Sequence, residues 1–353
     1  MNPYLAVAAL IFLIGVMFLL PLVPAWIELR SKSDAVPLNV VQQNAGEIRH
    51  FANGFRSYIG ALEPIMQHCV NSGGMDAGAL SNGEDYVVLG RTDEIQMRAL
   101  AEQDAVHPVL IMAAVDVVIP TDAKFSKDIY AAGQFQSGER GNFRAILGEL
   151  NVHLGKANSV LRWVHSVGEF TADLGCRLYG RISSDLLIRL HADCNFMRMN
   201  APRIEIGAAE AEPGSITPAN SQAPTLLRFI HDGDFEVHAG EIVASNMVIR
   251  GTLHIHSGAR VCGSVKVLKD VLIDEGVAVE GSLIGGRRMR IGPHCTIHGP
   301  VIAEHELVID GGTRCGTEEC PTTVSAPHIE VEEGVVVFGT LWAREHGHVA
   351  ARA

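Results

Sequence analysis

An internal period of eighteen runs through this chain. Gly263, Gly281 and Gly299 stand 18 apart, and a second column on the same spacing runs Gly240, Gly258, Gly276, His294, Gly312. Aliphatic positions keep the same clock. Val265, Leu283 and Val301 form one column, Val271, Met289 and Leu307 another, and Ile273, Ile291 and Ile309 a third. Val277, Cys295 and Thr313, and Val279, Ile297 and Cys315, complete the set. Within one period, apolar pairs sit at i and i+2 and restart six positions on, so each period holds three short strands and three corners. One such coil cannot bury its apolar edge alone; stacking coils at ~4.8 Å makes a continuous core. Glycine at a corner takes positive φ without steric cost. The expected fold is all-β: a solenoid β-helix with coils of about 18 residues and a triangular cross-section.

The earlier half keeps the same period less openly. Ile146, Val164 and Ile182 are 18 apart, as are Val152, Phe170 and Ile188, Leu154, Ala172 and Leu190, and Val160, Leu178 and Phe196. Asn158, Cys176 and Cys194 make a further column, and the stack is expected to begin near Val115–Phe125. The two halves are out of phase: Ile182 to Val265 spans four full periods and a remainder of eleven. A loop thrown out of one corner accounts for the excess, and the Pro-rich, acidic stretch after Ile206 supplies it. Near the end, Gly339–Ala343 repeats Gly299–Ala303 at an offset of 40, placing four extra residues in Cys320–Thr323. The stack then counts 11–12 coils, a rod of ~55 Å.

No residue from Met1 through Ile27 carries a side-chain charge, and Glu28, Arg30 and Lys32 follow at once. A run of about 20 apolar residues spans a hydrocarbon core, so the sequence predicts one transmembrane helix, with Tyr4, Phe12, Phe18 and Trp26 as anchoring aromatics. Basic residues on the carboxyl side alone place that side in the cytoplasm, giving a single-pass membrane protein. A cleaved signal is the alternative, but no basic n-region precedes the apolar stretch. Between Val41 and Leu62 apolar residues alternate four and three apart (Val41, Ala45, Ile48, Ala52, Phe55, Ile59, Leu62), the seam of a helix. That helix either packs on its own domain or self-associates. Residues 71–84 read as loop and 93–104 as a short helix. The expected organisation is an anchor over 1–28, a partly helical module over 29–106, a first β-helix block over 107–206, and an insert over 207–228. A second block over 229–345 and a tail over 346–353 follow.

The text from Gly263 through Gly281 to Leu283, continued through Gly299-Pro-Val-Ile-Ala-Glu304, resembles the bactofilins, bacterial polymer-forming cytoskeletal proteins. The resemblance is clear over about Phe229–Cys315 and weaker over Phe125–Ile206. It implies a right-handed β-helix that joins end to end into nucleotide-free filaments and scaffolds cell-envelope or polysaccharide-related machinery at a membrane. The expected partners are copies of the chain itself, the inner membrane and envelope proteins. This chain departs from the family pattern in its amino-terminal segments, its insert and its second block.

Composition and motifs narrow the chemistry. The 28 basic and 40 acidic side chains give a net charge of −12, which leaves no basic surplus for nucleic acid. Neither a phosphate loop, a dinucleotide fingerprint nor a nucleophile elbow occurs, so no nucleotide, cofactor or catalytic residue is expected. A membrane-tethered hexapeptide-repeat acyltransferase, with a histidine as general base, is the enzymatic alternative. A periplasmic carbohydrate-processing β-helix is a third reading. His254, His256, His294 and His298 sit in the repeat; His254 and His256 share a strand face and could hold a metal, but no third ligand is identifiable. They read as exposed polar positions. Cys176 and Cys194 read as a buried ladder rather than a disulfide, and Arg287, Arg288 and Arg290 as a solvated corner. The final coil carries Val335, Val337, Phe338, Leu341 and Trp342 with a short tail after it. An unpaired terminal coil templates pairing with another chain, so these residues are the expected self-assembly end.

Overall fold

The computed structural model describes residues 3–20, 23, 49–91, 106–207 and 227–351. It divides into two units, Met1–Glu47 and Ile48–Ala353. In the first unit the helix Pro3–Leu19 has 17 residues, a rise of about 26 Å against a ~30 Å hydrocarbon core. No helix among the described residues is long and apolar enough to cross a membrane. This corrects the expected transmembrane helix over 1–28 and, with it, the single-pass inner-membrane placement with a cytoplasmic carboxyl side. Tyr4 lies within the helix, Phe12 and Phe18 are exposed on it, and Trp26 lies outside the described residues.

The second unit is a β-solenoid, and together its strands make about 12 turns. The columns read from the sequence are its ladders. Ile146, Val164 and Ile182 are paired in register, as are Val152, Phe170 and Ile188. Val271, Met289 and Leu307 stack the same way. Inward side chains form one continuous core from Leu89 to Val349. The first stack uses aromatics at its centre: Phe125 stacks on Phe143 at 5.9 Å, and Phe135 meets Phe143 edge-on at 5.7 Å. The second stack is filled without aromatics over Met247–Ile309. Asn158 is buried without penalty because its amide donates to Ser137 Oγ (2.7 Å) and to the Gly138 and Gly155 carbonyls (2.8 Å each).

The two glycine columns have different physical causes. Gly240, Gly258, Gly276 and Gly312 lie at φ of +68°, +70°, +68° and +76°, the left-handed region that disfavours a Cβ. Gly263, Gly281 and Gly299 do not; a Cβ there would run into the backbone of the preceding coil at Ser245, Gly263–Ser264 and Gly281.

The chain does not build one continuous stack. The last turn of the first stack, Asn195–Ile206, pairs antiparallel with the last turn of the second, within Val336–Ala350. The register runs Asn195 opposite His348, Met199 opposite Leu341 and Ile204 opposite Val337. The two stacks therefore meet tail to tail. Gly207 leaves the first stack at this joint, whereas Leu227 opens the first coil of the second stack, the coil farthest from the joint. Most of the expected insert, residues 208–226, lies outside the described residues.

Residues ahead of the first stack belong to it. The helix His50–Ile59, the 3-10 turn Gly60–Leu62 and the helix Glu63–Ser72 precede a hairpin of Met75–Ala79 and Asp85–Leu89. The second hairpin strand pairs parallel with Leu110–Ala113 and so continues the solenoid sheet. Ala52, Phe55, Ile59 and Leu62, the described part of the helical seam, are buried with Leu110, Met112, Ala145, Leu147 and Trp163. The seam thus packs on its own domain. Arg56 donates to both oxygens of Glu149 (2.7 and 2.8 Å), and Arg49 pairs with Asp185 at 2.7 Å. Val41, Ala45, Ile48 and the expected helix over 93–104 lie outside the described residues.

Candidate functional site

The ends of a β-solenoid are its most reactive surfaces, because a terminal coil exposes unpaired backbone donors and acceptors. In this chain one pair of ends is closed internally. Val335, Val337 and Leu341 are fully buried, Phe338 is nearly so, and Trp342 is 37% exposed. All five lie at the joint or beside it. Asn200 Nδ2 donates to Thr340 Oγ1 at 2.6 Å, and the Arg198 guanidinium lies over the Trp342 ring at 4.8 Å. The Ile206 amide donates to the Val335 carbonyl at 2.9 Å, and the Val349 amide to the Cys194 carbonyl at 2.8 Å. The expected assembly end is thus engaged within the chain.

The other end of the second stack is different. Its first coil consists of Arg228–His231, Phe235–Val237 and Ile242–Val243. Each strand pairs with the next coil only, through Asn246–Ile249, Leu253–Ile255 and Arg260–Val261. Among the described residues nothing pairs with its outer edge. Leu227, Ile230 and Ile242 are 81%, 55% and 68% exposed. Phe229, His231 and Phe235 form an aromatic cluster, with Phe229 and Phe235 centroids 5.0 Å apart. A reading of the sequence that follows the chain terminus passes over this coil; the spacing from Gly240 upstream carries the signal.

Beside the first stack, the helix His50–Ile59 leaves a groove of about 590 Å³ against the coil edges at Leu161–Trp163 and Tyr179–Gly180. Phe51, Tyr58 and Tyr179 line it together with Asp128. Burial raises the Asp128 carboxyl above the ordinary carboxylate range. Close by in the same stack, His165 Nδ1 lies 2.9 Å from Ser183 Oγ, and its Nε2 is 3.9 Å from Asp185. Ser183 is 3% exposed, so this serine–histidine–aspartate row is a packing contact between coils.

Several of the polar groups noted in the repeat have partners. His298 Nδ1 is 2.7 Å from Glu280, and Arg290 and Arg288 face Asp310 and Glu306. His254 and His256 both face Asp274. All seven cysteines are free thiols, and Cys176, Cys194, Cys295 and Cys315 are buried. Burial pushes the Cys295 and Cys315 thiols up to about 11 and 12, which makes them unreactive. No family model, no curated protein and no solved structure matches this chain.

Proposed function

We propose that this chain is a bactofilin-like structural protein that self-associates through the open first coil of its second β-helix. The single observation that carries the reading is the joint inside the chain. There, two terminal coils of this sequence pair antiparallel in three successive runs. The Arg228–Val243 coil offers the same kind of edge with apolar residues at its rim. Two copies meeting at that edge reproduce the antiparallel arrangement with two-fold symmetry, the commonest mode of homo-oligomer closure. The resemblance over Phe229–Cys315 supports the same role, a scaffold for cell-envelope proteins. The histidines on which an acyltransferase would draw lie on outer faces against carboxylates, so the role proposed is structural rather than catalytic.

Sedimentation velocity of the full chain tests this. The expected result is concentration-dependent growth beyond the 38.0 kDa monomer, lost in Ile230→Lys/Ile242→Lys and kept in Val118→Lys, an exposed control on the first stack. A 38.0 kDa species at every concentration, or association indifferent to the paired substitution, overturns the reading.

A further inference from the structure

On the outer face of the second stack, four polar side chains from three consecutive coils converge. His254 and His256 flank the inward Ile255, so alternation sends both to the same side. Glu236 is the ladder partner of His254 one coil earlier. Asp274 stands one full period after His256, on the next coil. His254 Nε2 lies 3.0 Å from Asp274 Oδ1, and His256 Nδ1 lies 3.3 Å from Asp274 Oδ2. One ligand atom from each of the three residues falls within 4.8 Å of the others. The remaining imidazole nitrogen, His256 Nε2, faces Glu236 Oε2 at 3.3 Å.

We propose that His254, His256 and Asp274 form a binding site for a divalent first-row transition ion of the zinc class. Three arguments support it. First, the donor atoms are gathered closely: one from each residue lies within 4.8 Å of the others, and small side-chain rotations bring them to the roughly 3.0–3.4 Å that metal bonds of ~2.0–2.2 Å set between neighbouring ligand atoms. Second, the donor set selects the ion. Two imidazoles and one carboxylate suit zinc, nickel, cobalt or iron, whereas calcium and magnesium take oxygen ligands. Third, the outer contact is in place. A metal-bound imidazole donates its other N–H to a carboxylate, which fixes tautomer and ring orientation; Glu236 occupies that position on His256. The charge is also suited. Asp274 and Glu236 give the patch two negative charges, and the arginine next up the His254 ladder, Arg290, is held by Asp310. The three ligands are each about one-third exposed, so an ion reaches the site from solvent and leaves coordination positions open to water. Bound there, the ion ties the His254–His256 coil to the coil of Asp274.

The test is isothermal titration of the metal-stripped full chain with Zn²⁺, with Mg²⁺ as comparison. The expected result is one Zn²⁺ per chain at micromolar affinity or tighter, no comparable Mg²⁺ binding, and a rise in melting temperature with Zn²⁺. His254→Ala/His256→Ala is expected to weaken binding at least 100-fold. Glu236→Gln, which removes no ligand, is expected to weaken it about 10-fold, in line with other outer-shell carboxylates. Circular dichroism of each variant must retain the wild-type β spectrum, and the outward-facing positions of these side chains favour that. The two-ligand pairs His153–Asp173 and His298–Glu280 stay intact in every variant and report background binding. Absence of a one-to-one Zn²⁺ site, or unchanged affinity in the double-alanine variant, overturns the proposal.

Discussion

Replacing Leu341 by alanine measures whether the tail-to-tail joint is real. Leu341 is fully buried, between Met199 of the first stack and Val324 of its own. Removing a buried leucine side chain into a site that collapses only partly costs about 2–5 kcal/mol, roughly 3 as a central value. Were the last coil an open end, Leu341 would lie at the rim, and truncation would cost about 1 kcal/mol or less, as at exposed positions. Ile242→Ala supplies the comparison, since Ile242 lies in the open coil and is 68% exposed; its expected cost is about 0.5 kcal/mol. The assay is urea unfolding of the full chain, followed by circular dichroism. With a slope of about 3 kcal/mol per molar for a chain of this size, Leu341→Ala lowers the midpoint by about 1 M and Ile242→Ala by roughly a sixth of that. A Leu341→Ala shift equal to that of Ile242→Ala refutes the joint.

Three further outcomes are expected. Gly281→Ala, which puts a Cβ into the backbone of the preceding coil, destabilises more than Gly258→Ala, where open space leaves only the positive-φ cost of ~1 kcal/mol; equal melting temperatures contradict this. Burial holds the His165 imidazole below its ordinary value of 6.5. Above that pH folded and unfolded states are both neutral, and below it only the unfolded state gains the proton, so stability falls as pH drops from about 6.5. His165→Gln should flatten that fall in urea midpoint, leaving the share due to His107, which burial shifts the same way; an unchanged slope contradicts it. Iodoacetamide should label exposed Cys320 first and leave Cys176, Cys194, Cys295 and Cys315 unlabelled until unfolding, as read by peptide mass; early labelling of Cys315 would show the second core open.

Much of the solenoid is legible in the sequence because its physics is local and periodic. Each coil repeats the same inward pair, so Ile273, Ile291 and Ile309 announce one another. The joint is not legible. Antiparallel pairing of Met199 with Leu341 leaves no period, since it happens once and between positions far apart in the chain. The phase slip is visible, but a period cannot tell a corner loop from a reversal of direction. At the amino terminus, absence of charge suggests a span, whereas the described helix Pro3–Leu19 has 17 residues and falls short of one. The third ligand beside His254 and His256 is within reach of the sequence, because Asp274 is one period after His256. Columns of core residues do not reveal it, yet polar faces obey the same spacing.

Negative-stain electron microscopy of the full chain shows whether two chains join at their open first coils. About 12 turns at ~4.8 Å give a solenoid about 58 Å long, and two joined at their open coils give about 115 Å. The expected particles are two-fold symmetric, have the doubled length, and return to the single length in Ile230→Lys/Ile242→Lys. Single rods in the unaltered chain, or doubled particles that survive the substitution, contradict it.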